Sequence, residues 1–194
     1  VRFPSLFWIY PYDSTLTVLA YGGIFAGGLL VLNIFPLVAA TVAWVCFTSL
    51  TVVGGDFLVI IIDLFLSEVG FLLIILHLAL RFWGYVPAIV RFSFVFLNFR
   101  LWFCMGIMKF YNAYDLWKDG SFFYYFFPNQ PMPTAVSWYA VQLPKSMFWI
   151  GEAWLFVGQL AVPFLVFGNK WMRWIAFANF FFFSLAIILV GNYG

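Results

Sequence analysis

The 194-residue chain is 66% hydrophobic and 25% aromatic, with 28 phenylalanines, and only 8% of its residues are charged for a net charge of +2. A water-soluble fold of this size needs a polar shell that this composition cannot supply, whereas helices in lipid can stay apolar all round. The weak and scattered positive charge also excludes a phosphate-tracking surface, so no nucleic-acid partner is expected.

A bilayer core of about 30 Å takes about 20 apolar residues per helix. Segments of that kind predict helices over 15–33, 36–53, 57–80, 86–111, 147–168 and 172–191, separated by turn residues at Asn33 to Pro36, Gly54-Gly55-Asp56, Trp83 to Pro87 and Gly168-Asn169-Lys170. The chain reads as all-α: one integral membrane domain over residues 1–194, a polytopic transmembrane helix bundle of about six helices. A closed barrel needs alternating strands, and FLVIII and FFFFSLAIILV do not alternate. In the first segment Gly23 and Gly27 form a small-xxx-small pattern suited to close helix packing. Cys46 and Cys104, each inside an apolar stretch, read as small buried hydrophobes. The cations flanking the spans, Arg2, Lys118 and Lys145 on one side against Arg81, Lys170 and Arg173 on the other, favour neither orientation.

The third segment holds Asp63 and Glu68 in its interior. Five positions separate them, about 140° around a helix, so they do not chelate one ion together. On the fourth segment Arg91, Asn98, Trp102, Met105 and Lys109 fall within about 40° of one stripe, and Arg91 and Lys109 are expected to snorkel toward opposite interfaces. Arg100 points the other way at mid-depth. In a hairpin about Trp83, Glu68 and Arg100 differ in depth by only about 3 Å. The sequence therefore predicts a buried Glu68–Arg100 ion pair, with Asp63 as a competing acid and Gln159 as a polar neighbour. A helix clamp is the reading preferred over a proton path, because His77, the one histidine, sits near a helix end. No zinc helix, phosphate-cradling glycine loop or Ser/His/Asp set is present. Neither catalytic residues, a metal site nor a cofactor is expected, beyond structural lipids.

Residues 112–146 interrupt the spans with an insert rich in aromatic residues and proline. Amphipathic rings suit the headgroup zone and proline forbids a plain spanning helix, so the insert reads as an interfacial or re-entrant cap.

FRLWFCMGIMKF (99–110), Trp117, QPMPTAVSWYAVQLP (130–144), VPFLVFG (162–168) and GNY (191–193) follow one another in an order that resembles the lipase maturation factor family. DFLVIIIDLFLSEVGFL (56–72) is similar to that family's acid-containing membrane segment. The resemblance marks Trp117, Gln130, Pro131, Pro133, Ser137, Trp138, Tyr139 and Pro144 as the insert's characteristic residues. Two departures stand out: Tyr125-Phe126-Phe127-Pro128-Asn129 replaces a Tyr-His-Tyr-Glu-Thr run, and Gln159 stands where the family has an acid. The resemblance implies a helper for lipase maturation in the endoplasmic reticulum, acting with a large soluble lumenal part.

Weighing the residues, the leading expectation is a non-catalytic accessory or structural subunit of a larger membrane complex. Its partners would be membrane lipids and other integral membrane proteins, and a mitochondrial inner-membrane respiratory or ATP synthase assembly is slightly favoured, since the chain has no Asn-x-Ser/Thr sequon. The endoplasmic reticulum helper is the alternative. A carboxylase-like membrane enzyme using Lys109, Arg100 and Glu68 ranks third.

Overall fold

The computed structural model describes residues 5–54, 61–111, 114–130 and 133–191. These group into two compact units, one reaching to Leu97 and the other starting at Asn98. Among the described residues, six helical segments are long and apolar enough to cross a membrane, and the fold is an all-α polytopic bundle.

In the N-terminal unit a short 3₁₀ turn, Leu6–Trp8, leads into α1 (Asp13–Val31), α2 (Pro36–Val53), α3 (Ile61–Trp83) and the first half of α4 (Ala88–Tyr111). The 3₁₀ turn is tied to α2 through Ser49, whose hydroxyl accepts from the Leu6 amide at 3.2 Å and whose carbonyl accepts from the Ser5 hydroxyl at 3.3 Å. Chain reversal between α1 and α2 uses left-handed backbone at Asn33 and Phe35, after which Pro36 starts α2 where a missing N–H costs nothing. α3 ends on Gly84, which adopts φ +69° and donates its amide to the Leu80 carbonyl at 3.1 Å.

α1 and α2 pack closely because Gly23 admits Cys46: a Cβ on Gly23 would sit 3.4 Å from the Cys46 side chain. Gly27 meets nothing within 4 Å, so only one half of the small-xxx-small pair makes a contact within this unit. Trp44 joins α2 to α3, its indole donating to the Ser67 carbonyl at 2.8 Å while the ring lies against Gly70 and Phe71.

The C-terminal unit contains the rest of α4, three short insert helices α5 (Tyr114–Lys118), α6 (Phe122–Phe126) and α7 (Ala135–Val141), then α8 (Lys145–Phe156) and α9 (Lys170–Gly191). α8 continues through a π turn, Val157–Ala161, into a 3₁₀ stretch, Val162–Phe167. Pro163 explains this irregularity: it has no N–H for the carbonyl four residues back, and its ring crowds that carbonyl, so the helix first widens and then tightens. Asn179 of α9 repairs the opened backbone by donating to the Gly158 carbonyl at 3.2 Å, while accepting from the Trp154 indole at 3.2 Å. At the next boundary Asn169 caps α9, accepting from the Met172 amide at 3.1 Å.

α2 has the expected bounds and α4 and α9 end where expected, whereas α1 lies two residues earlier at both ends, α4, α8 and α9 start two residues from the expected positions and α3 ends three later; positions 57–60 of the expected third helix lie outside the described residues. The core of the C-terminal unit is aromatic. Trp102, Trp117, Leu155 and Phe183 are buried together, with Phe122, Phe123, Phe156 and Phe180 packed against them. Trp102 stacks on Phe180 with centroids 4.6 Å apart and meets the edge of Phe183 at 5.2 Å.

Candidate functional site

The polar centre of the C-terminal unit forms around Lys109, near the end of α4. Its ammonium donates to the Gln159 side-chain oxygen at 2.6 Å and to the Met105 carbonyl at 3.0 Å, and lies 5.3 Å from the centre of the Trp117 ring. Each partner comes from a different element: Met105 from α4 itself, Trp117 from the insert and Gln159 from the π turn. Two hydrogen bonds and a cation–π contact together engage a charge that lipid would not solvate.

Local sequence places each part. Gly106 has no side chain where α4 meets the π turn; a Cβ there would lie 2.7 Å from Leu160 and 3.1 Å from Gln159. The π turn bulges Gln159 inward, leaving it 2% exposed. Trp117 is fixed by stacking on Phe122 at 3.6 Å between centroids and by edge contact with Phe156 at 5.6 Å.

The insert closes over this centre. Gly120 takes φ +72° and brings the chain so near the Trp149 ring that a Cβ would lie 2.4 Å from it. The turn is held by Asp119, whose carboxylate accepts from the Ser121 hydroxyl and, at 3.0 Å, from the Ser121 amide. These donors hold the Asp119 carboxyl below the usual aspartate range, with Lys145 adding to the effect.

Further along, Thr134 caps α7 by accepting from the Ser137 amide at 3.2 Å and ties the helix to the end of α9 by donating to the Leu189 carbonyl at 2.7 Å. Ser137 is consequently buried while Trp138 and Tyr139 face outward, 64% and 66% exposed, their rings 5.0 Å apart in an edge arrangement. Gln130 is buried, Pro133 and Pro144 are exposed, and Pro131 lies outside the described residues.

Of the residues singled out in the membrane segments, Gln159 and Lys109 come together directly. Asp63 and Glu68 are half-buried on α3 in the N-terminal unit, and Arg91 is exposed on the part of α4 in that unit. Arg100 is exposed on α4 in the other unit, so the expected Glu68–Arg100 pair joins residues of different units. His77 hydrogen-bonds the Leu73 carbonyl at 2.8 Å through Nδ1. Cys46 is buried as expected but Cys104 is exposed, which is unproblematic for an apolar residue where lipid is the solvent. No group of three or more metal-ligating side chains assembles among the described residues.

Sequence reading missed Glu152. It lies on α8 with 2% exposure, and neither carboxylate oxygen has a hydrogen-bond partner.

The arrangement defines a polytopic helical membrane domain whose insert is pinned to its spans by a half-buried lysine. The lipase maturation factor transmembrane domain matches residues 1–194, and the chain belongs to the lipase maturation factor family. It is 29% identical over 205 residues to lipase maturation factor 2 of Xenopus laevis and 30% identical over 222 residues to that of Mus musculus, with 98% of this chain covered in both. Lipase maturation factor 2 of Homo sapiens is 28% identical over 77% of the chain. The chain spans 29% and 30% of the length of the Xenopus and mouse proteins. No solved structure matches it. These likenesses favour the maturation-helper alternative over the accessory-subunit expectation, and nothing in them supports the mitochondrial preference.

Proposed function

We propose that this domain is the membrane part of a non-catalytic helper for lipase maturation, residing in the membrane of the endoplasmic reticulum. The observation that carries the reading is the pinned insert. Lys109, Trp117 and Gln159 fasten its first half, and Thr134 with Ser137 fastens its second half so that Trp138 and Tyr139 project outward. Such a rigid aromatic pair suits the headgroup zone and can also be read by a partner there. Structural lipids belong to the same reading: α1, α2 and α3 enclose an apolar groove of about 550 Å³ within the N-terminal unit, lined by Leu19, Gly23, Trp44 and Cys46 among others.

The test is complementation. Cells lacking their own maturation factor would receive the full-length protein or its Trp138→Ala/Tyr139→Ala variant, with secreted lipase activity and organelle fractionation measured together. The reading expects endoplasmic reticulum fractionation and restored secretion, reduced by the double substitution at unchanged protein level. Co-fractionation with mitochondria, or migration within a respiratory assembly on a blue-native gel, would overturn it.

A further inference from the structure

The corner between the last two spans carries positive charge without compensation. No acid follows Glu152 in the sequence, yet Lys170 and Arg173 stand in the first turn of α9. Glu152 is buried, and its separation from Gly168 along the helical rise is about 24 Å. Asp119 precedes Gly120, which abuts Trp149 near the start of α8, so it is farther still. Both separations exceed the screening length of about 8 Å at physiological salt.

The helix gathers the two cations on its outer side. Met172 packs inward on Gly168 and Ala176 is buried. Lys170, Trp171, Arg173 and Trp174 are all exposed, within an arc of about 160° centred opposite Met172. The Arg173 Nε–H donates to the Gly168 carbonyl at 2.9 Å, which holds the guanidinium across the turn while using one of its five donors. Trp171 and Trp174 are 76% and 56% exposed, and indoles on the first turn of a span belong at headgroup depth.

We propose that this corner binds the phosphate of an anionic phospholipid. Lys170 supplies a compact charge and Arg173 a planar fork of donors for the phosphate oxygens. The two indoles bury their rings at the level where acyl chains begin and keep their N–H groups toward the headgroups. Charge complementarity selects an anion, and the flanking tryptophans select one attached to hydrocarbon over a soluble phosphate. The inference does not depend on the lipase reading.

The experiment is native mass spectrometry of the full chain in detergent micelles, titrated with phosphatidylglycerol, phosphatidylcholine or glycerol phosphate. The native protein should retain phosphatidylglycerol in preference to phosphatidylcholine, and Lys170→Ala/Arg173→Ala should bind it about thirtyfold more weakly with phosphatidylcholine unchanged. Lys118→Ala/Lys145→Ala removes the same charge from exposed positions elsewhere in the unit and should leave the preference intact. An equal loss in both double variants, or no preference in the native protein, would overturn the proposal. Displacement of the lipid by an equal concentration of glycerol phosphate would reject the lipid as occupant. Should the first double variant fail to assemble, Lys170→Gln decides alone: about fivefold weaker binding supports the site, and unchanged binding rejects it.

Discussion

The two units solve the same problem, holding helices together in lipid, by different means. In the N-terminal unit backbones approach through small residues, Gly23 against Cys46 and Gly70 against Trp44, and one indole hydrogen bond crosses from α2 to α3. In the C-terminal unit large rings interlock, and hydrogen bonds from Lys109, Asn179 and Thr134 cross between elements. With no hydrophobic drive between helices in a bilayer, association falls to van der Waals fit and polar contacts. The first unit relies mainly on fit, whereas the second adds specific polar bonds. An insert that must hold one shape needs the second strategy, because small-residue packing alone permits sliding.

The largest test of this contrast is Gly120→Ala. The methyl would meet the Trp149 ring at 2.4 Å, and the residue would be held at φ +72°. A left-handed backbone and an overpacked contact together cost about 2–4 kcal/mol. Thermal unfolding in detergent should show a clear drop, with proteolysis concentrated between Trp117 and Phe126. The matched control is Gly27→Ala in the other unit, where nothing lies within 4 Å and α1 gains helix propensity. A similar loss at both glycines would erase the distinction drawn here.

Next in size is the Lys109–Gln159 pair. Lys109→Leu leaves the carboxamide oxygen of a residue only 2% exposed without this donor, a loss of about 1–3 kcal/mol. Adding Gln159→Leu removes the stranded acceptor, so the double variant should be more stable than Lys109→Leu alone. A double-mutant cycle on unfolding midpoints measures the coupling; simple additivity would show that the bond contributes nothing to the fold.

Much of this was legible in the sequence and some was not, for identifiable reasons. Hydropathy located the six spans, and Gly84 and Asn169 fell at the helix ends where turn chemistry put them. Lys109 and Gln159 were both marked, yet not as partners, since fifty positions separate them and only the π turn before Pro163 aims one at the other. Ser137 and its neighbours were marked as one cluster. The structure divides them, because a short helix capped by Thr134 turns the serine inward and the two aromatic residues outward. Glu152 escaped notice because a single acid near the start of a span resembles an interface charge, and only packing reveals its burial.

A smaller effect is expected from Trp44→Phe in the N-terminal unit. The ring contacts with Gly70 and Phe71 survive in part, while the hydrogen bond to the Ser67 carbonyl is lost. That change should cost about 1 kcal/mol, seen as a small lowering of the unfolding midpoint. A loss as large as that of Lys109→Leu would mean the first unit depends on polar contacts as much as the second.

The smallest effect concerns pH and belongs to the insert. Ser121 lowers the Asp119 pKa in the folded protein, so the ionised carboxylate is favoured there more than in the unfolded chain. The stabilisation it brings is complete above the ordinary aspartate value and fades as pH falls through the lowered one. Because the Ser121 amide is also shared with the Leu116 carbonyl at 3.2 Å, protonating Asp119 weakens the turn without abolishing it. Exchange at the Ser121 amide, corrected for its intrinsic pH dependence, should therefore rise modestly under acid in the native protein and stay flat in Asp119→Asn. An equal rise in both would place the acid sensitivity elsewhere and leave the turn held by the backbone alone.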